Sequence, residues 1–256
     1  MSTPGNAVSL NARPSTDYVI KLAEAQAVLS QAAAQYAGDT PRGPTRVTQA
    51  NSLGAEDMVI SHMINRLHLN IDIFVLDTGR LHKETLDLLS SFQAESRAPV
   101  TVYTPSNEAV IDFVTREGMD AMYKSIGLRK SCCNVRKMEP LGRALQGKDA
   151  WITGLRREQS GARAEVPLVD TSERRTKINP LANWTWGDVW HYIRENDAAY
   201  NPLHDQFFPS IGCEPCTRAI SLGEDFRAGR WWWEDEAAKE CGLHVKATAL
   251  PEKAKP

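Results

Sequence analysis

Two cysteine stretches constrain this chain more than anything else in it. Cys132 and Cys133 are adjacent, and Cys213 and Cys216 follow far downstream as a Cys-x-x-Cys pair. Together they are four soft thiolate ligands, enough for a complete metal or iron–sulfur site, provided the fold brings the two stretches together. All-thiolate coordination is common for structural zinc, but zinc knuckles pair two Cys-x-x-Cys units, and an adjacent pair does not have that spacing. A [4Fe–4S] cube takes one cysteine per iron and also needs four. Spacing leaves both open. Of the five cysteines, only Cys241 remains, in Glu240-Cys241-Gly242-Leu243-His244. A lone cysteine is usually a small buried hydrophobe. In this polar setting it can instead be an exposed thiol whose thiolate a nearby cation stabilises.

The 256 residues allow one large domain or two small ones, and 42% are hydrophobic, ample for a buried core. A net charge of -2 argues against a general nucleic-acid or membrane-surface binder. No apolar run is long enough to span a bilayer, and the first residues lack the basic and apolar regions of a signal peptide. The expected setting is therefore the cytoplasm, where thiols stay reduced and clustered cysteines are ligands or catalysts rather than disulfides.

Residues 1–14 read as a disordered leader. Ser15 or Thr16 can cap a helix running to about Tyr36, and a Pro/Gly linker follows over 40–44. Strands are expected at 46–50, 71–76, 100–103 and 150–153, separated by helices with apolar faces. Such alternation predicts an α/β fold, a mostly parallel sheet with helices on both faces. Ligands in these folds sit beyond the carboxyl ends of the strands. Ser52-Leu53-Gly54, Asp77-Thr78-Gly79 and Gly154-Leu155-Arg156-Arg157 all fall there. Thr185 and Asp188 form a capping box for a further helix. The nucleotide-binding domain is taken as 15–200. Residues 201–256 form an irregular C-terminal extension of the same unit, anchored to the sheet by Trp231-Trp232-Trp233, with a flexible tail beyond Val245.

The loop at Ser52 is neither a Walker A loop nor a Rossmann glycine fingerprint, yet a small-residue strand-to-helix turn can present N–H groups to an anion. Glu56 and Asp57 then fall in the first helical turn, where acids suit the helix dipole. Lys137, Arg156, Arg157, Arg163, Arg227 and Arg230 lie near strand ends or cysteines. Convergence of several on one crevice suits a multiply anionic phosphate or sulfate compound. Singly, each is as readily a solvated surface residue.

These stretches, with Leu76-Asp77-Thr78-Gly79-Arg80, Trp151 to Ser160 and Glu240 to His244, resemble in order and wording the assimilatory sulfonucleotide reductases, the phosphoadenylyl-sulfate reductase family. The likeness runs from about Arg46 to His244. Retention of all four paired cysteines resembles the adenylyl-sulfate (APS) branch; the branch acting on 3′-phosphoadenylyl sulfate (PAPS) typically keeps only the C-terminal one. The resemblance implies an adenine-nucleotide α-hydrolase-like fold, and one [4Fe–4S] cluster on Cys132, Cys133, Cys213 and Cys216. It implies Cys241 as the nucleophile that takes the sulfonate from APS, with thioredoxin or glutaredoxin as reductant. Ser52, Gly54 and Asp57 would belong to a modified pyrophosphatase loop, Leu76 and Gly154 to an adenosine pocket. Lys137, Arg163, Arg227 and Arg230, with His244, would hold the phosphosulfate. The loop reads Asn51-Ser52-Leu53 where many relatives have an additional serine.

The competing expectations are a PAPS reductase, a sulfur-transferring or adenylating enzyme of the ATP pyrophosphatase superfamily, and a non-catalytic zinc-stabilised module. The second normally carries Ser-Gly-Gly-x-Asp-Ser, which this loop lacks. Assembly into a homo-oligomer is compatible with the sequence and not specified by it.

Overall fold

The computed structural model describes residues 5–38, 45–221 and 223–234. In chain order its helices and strands are α1 (Ala7–Asn11), α2 (Tyr18–Gln35), β1 (Val47–Ala50), α3 (Ala55–Arg66), β2 (Asp72–Leu76), α4 (Lys83–Glu95) and β3 (Val100–Tyr103). They continue with α5 (Asn107–Glu117), α6 (Ile126–Cys133), α7 (Glu139–Ala144), β4 (Ala150–Ile152), β5 (Val169–Asp170), β6 (Thr176–Ile178) and α8 (Trp186–Asn196). The strands form one sheet in the order β3-β2-β1-β4-β6-β5. All neighbours are parallel except β5 against β6.

Strand periodicity divides the core between the two faces. Ile73, Val75, Ala150 and Ile152 join the main core with Val59, Ile60, Ile64, Trp184 and Trp190 from α3, the turn before α8, and α8. Phe74 and Trp151 point the other way, onto Leu141, Ala144 and Leu145 of α7 and the turn after it. Helices thus cover both faces, as the alternation of elements predicts. From β1 the chain moves out through β2 to β3, then returns to the opposite side of β1 with β4. The crevice beyond the ends of β1 and β4 is therefore the topological switch point, where open α/β sheets bind ligands.

Four local expectations need correction. Residues 7–11, expected in a disordered leader, form α1: Asn6 caps it, Ala7 is buried, and the Ala7 amide donates to Asp205 at 2.7 Å. Neither Ser15 nor Thr16 caps α2, which starts behind Asp17. Ser15 is engaged elsewhere, its amide and hydroxyl both donating to Asp188. That carboxylate also completes the predicted capping box with Thr185. The strands β5 and β6 had no counterpart in the sequence reading. Trp231 anchors not to the sheet but beside α5 and α6, buried with Phe113, Met122, Cys132 and Cys216. The linker at 40–44, Cys241, His244 and the tail beyond Val245 lie outside the described residues.

Candidate functional site

The crevice is built first by polar groups that tie β1 to α3. Gln49, buried in β1, donates through Nε2 to the Asp57 carbonyl at 2.7 Å and accepts from Ser61 Oγ at 2.7 Å. Asn51 Nδ2 donates to the same hydroxyl at 2.8 Å, while its Oδ1 accepts from the Leu53 amide at 2.6 Å. Leaving such a buried group unmade costs about 1–3 kcal/mol, so the loop has little freedom. Leu53 is fully buried at φ +62°, a left-handed conformation that costs a branched side chain strain. Gly54 then begins α3 without a side-chain cap, leaving the helix N-terminus directed at the crevice.

Asp57 closes this loop. Its Oδ2 accepts from the Ser52 amide at 2.8 Å and the Ser52 hydroxyl at 2.6 Å. Burial pushes its carboxyl up to about 6, against the lowering by both Ser52 bonds. Opposite lies Gly154, at the end of β4; a Cβ there would stand 2.4 Å from Asp57 Oδ1, so only glycine allows this approach.

One pocket gathers every expected contact that lies among the described residues: Ser52, Gly54, Asp57, Leu76, Lys137, Gly154, Arg163, Arg227 and Arg230. Its lining is of two kinds. Ala50, Phe74, Leu76, Leu141 and Trp151 belong to one apolar cluster, suited to a flat ring, and Lys137, Arg163, Arg227 and Arg230 line the same pocket. Arg227 and Arg230 reach it from a turn, not a helix, with the Arg230 amide bonded to the Arg227 carbonyl at 2.9 Å. Gly212 makes room for Arg230, since a Cβ would meet its guanidinium at 2.4 Å.

A second, smaller cavity adjoins the pocket. Cys132, Cys133, Cys213 and Cys216 all line it, together with Arg80, Arg129, Arg136 and Lys137. The two cysteine stretches thus meet. Cys132 and Cys133 are successive helical residues, turned about 100° apart on α6. A π turn over Asn134–Met138 then joins α6 to α7 and re-aims Arg136 and Lys137. Arg136 donates to the Thr78 carbonyl at 2.7 Å, and Thr78 Oγ1 lies 3.2 Å from Cys213 Sγ. Burial raises the Cys132 thiol, and burial with neighbouring Cys213 pushes Cys216 up to about 12. The thiols line the cavity rather than share a point: among the described residues no three Cys, His, Asp or Glu side chains are grouped to hold one ion. Lys137 lines both cavities.

Two of the expected cations belong elsewhere. Arg156 is fully buried, paired with Glu56 at 3.0 Å and Glu158 at 2.7 Å beneath Trp186 and Phe226. Arg157 is exposed and donates to Val166 and Asn183. Among the pocket residues that were not predicted as contacts, Gln159 and His204 stand out for their hydrogen bonds. Gln159 follows the β4 loop, and that placement was its one readable signal. His204 has none in the local sequence. Burial pushes its imidazole down to about 4, and the neutral Nε2 accepts from the Ala55 amide at 3.1 Å.

Residues 46–219 match the phosphoadenosine phosphosulfate reductase domain. A protein named adenosine 5′-phosphosulfate reductase from Allochromatium vinosum is 54% identical over 202 residues, 78% of this chain and 79% of that one. Its namesake from Burkholderia cepacia is 50% identical over 209 residues, 80% and 84% of the two chains. Among solved structures, phosphoadenylyl-sulfate (PAPS) reductase from Candida auris superposes with a TM-score of 0.59 at 29% identity, covering 75% of this chain and 88% of that one. Candida glabrata FMN adenylyltransferase, 9% identical with a TM-score of 0.52 over 91% and 80% of the chains, shares the fold alone.

Proposed function

The chain belongs to the phosphoadenosine phosphosulfate reductase family, and from that premise we propose that it is an adenylyl-sulfate reductase. It reduces APS to sulfite and releases AMP, in assimilatory sulfate reduction. The observation that carries this reading is the shared lining: a pocket that holds an apolar cluster and four cations has Lys137 in common with the four-cysteine cavity. The apolar cluster suits adenine, and Lys137, Arg163, Arg227 and Arg230 suit a phosphosulfate. The paired cysteines favour APS over PAPS.

The proposed reaction runs through Cys241. Its thiolate attacks the sulfur of APS, an S–S bond forms as the bond from that sulfur to the phosphate oxygen breaks, and the electron pair leaves with AMP. Cationic side chains at the phosphate offset the charge that grows there. A thioredoxin or glutaredoxin thiolate then attacks Cys241 Sγ and displaces sulfite, and the reductant's second thiol resolves the mixed disulfide. Both electrons come from the dithiol. A cytoplasmic setting keeps that dithiol reduced; among the described residues no helix is long and apolar enough to cross a membrane.

Cys132, Cys133, Cys213 and Cys216 fit a [4Fe–4S] cluster. Four thiols around one cavity match one cysteine per iron, and four surrounding cations suit the negative charge of a thiolate-ligated cube. When bound, the cluster would supply a fixed compact charge behind Lys137.

Intact mass spectrometry of anaerobically purified protein exposed to APS without reductant, with PAPS in parallel, tests the proposal. The expected result is a sulfonate adduct from APS that is absent in Cys241→Ser and discharged by thioredoxin. Iron-replete protein that gains no adduct from either nucleotide sinks the reductase reading, and an adduct from PAPS alone transfers the protein to the other branch.

A further inference from the structure

Gln159 ends a short 3-10 turn after β4 and lines the pocket, yet none of its polar capacity faces open space. Its Oε1 accepts from Arg163 Nη1 at 2.6 Å and from the Arg156 amide at 3.1 Å. Its Nε2 donates to Glu56 Oε1 at 2.9 Å and to the Gly154 carbonyl at 3.3 Å. A primary amide has two donor hydrogens and two acceptor lone pairs on oxygen, and all four are engaged by protein. The partners also fix which end is which, because a guanidinium only donates and a carboxylate only accepts.

No other side-chain type of this length can do both tasks. Glutamate would set a carboxylate oxygen against Glu56 and add negative charge beside Arg163. Lysine or arginine could not accept from Arg163. The amide joins α3, the β4 loop and Arg163 with no charge of its own.

We infer that Gln159 is a positioning residue, a neutral clamp that holds Arg163 in place among the cations of the pocket without diminishing its attraction for the substrate anion. The anion's identity rests on the reductase reading; the clamp rests on the four hydrogen bonds.

The test compares Gln159→Glu and Gln159→Met in the iron-replete, full-length protein, alone and with Arg163→Ala. Gln159→Glu should raise the KM for APS by roughly tenfold while kcat stays within about threefold, the pattern of lost ground-state binding. Gln159→Met, which loosens Arg163 but adds no charge, should raise KM by only about threefold. In the Arg163→Ala background the glutamate should add less than about twofold, since its target is gone. A glutamate penalty that persists in full without Arg163 overturns the clamp. So does a KM that neither single variant moves, even if both lower the thermal midpoint. Tryptophan-fluorescence titration with AMP separates this from failure of the underlying reading. Wild type that binds AMP but does not turn over APS sinks the reductase assignment alone. The variants are then ranked by AMP affinity, where wild type above Met above Glu supports the clamp and equal values overturn it.

Discussion

At the loop end of the pocket, Gln49, Asn51, Ser52, Asp57 and Gln159 find their partners within the protein. In the adjoining cavity, four cysteines share one wall with Arg80, Arg129, Arg136 and Lys137. Of these cations, Arg129 is held by buried Glu234, through Nε at 2.9 Å and Nη2 at 2.6 Å. The difference separates two kinds of preorganisation. The loop end is set by hydrogen bonds that exist whether or not anything is bound. The cysteine cavity is set by packing around Trp231 and by cations that the protein also holds, Arg129 through Glu234 and Arg136 through the Thr78 carbonyl, and the cluster proposed there would add its own charge to that set.

The strongest test of this contrast removes the iron that the cluster reading requires. Anaerobic chelation should abolish APS turnover and alter the fluorescence of Trp231, which packs on Cys132 and Cys216. AMP affinity should weaken by no more than about tenfold, the worth of one charge-assisted contact, because among the described residues Lys137 alone is common to both cavities. A loss of AMP affinity of about a hundredfold or more, equivalent to two such contacts, breaks the contrast and makes the two regions one cooperative unit.

The same contrast explains what sequence reasoning reached. β1 to β4 were legible because buried apolar runs alternate with helical patterns, and their carboxyl ends located the pocket. Leu76, Gly154 and the loop at Ser52 followed from that placement together with the family likeness. β5 and β6, of two and three residues, are too short to carry a period. Arg156 and Arg163 look alike in sequence. Only the fold reveals that one is paired with Glu56, a hundred positions earlier, and the other reaches the pocket. His204 was invisible for the same reason, since no local pattern records a hydrogen bond to the Ala55 amide, and for Gln159 only its place after the β4 loop was readable, not its bond to Glu56. Adjacent cysteines on a helix identified a site, but not that a π turn would aim Arg136 and Lys137 toward it.

Asp57→Asn sharpens the loop side of the comparison. Burial raises the Asp57 carboxyl from 3.8 to about 6. The sign follows from linkage: this group's contribution to stability is fully present below its ordinary value and is lost as pH rises through about 6. The loss amounts to at most about 3 kcal/mol. Urea unfolding between pH 4 and 7.5 should therefore show a downward trend in wild type that is shallower in the variant. AMP affinity should fall by roughly tenfold, because asparagine has one acceptor oxygen where the carboxylate has two, and cannot accept from both Ser52 groups and from the Gly154 amide. An unchanged pH trend would place its source outside Asp57.

Tyr123→Phe probes the other side with the smallest expected effect. The Tyr123 hydroxyl donates to the Pro215 carbonyl at 2.6 Å, between Cys213 and Cys216, while its ring stands edge-on to Trp233 at 4.5 Å. Phenylalanine keeps the ring contact and removes one neutral hydrogen bond at a partly exposed position, worth about 1 kcal/mol. Iron should leave the variant somewhat faster under a chelator, since the turn that carries both cysteines loses a tether. AMP affinity should stay within about twofold of wild type, because the hydroxyl's bond is to Pro215, which lines the cysteine cavity and not the pocket. A variant that holds iron as wild type does, yet binds AMP poorly, would mean that the turn of Pro215 acts on the pocket directly. The shared side chain of Lys137 would then no longer be the route between the two cavities.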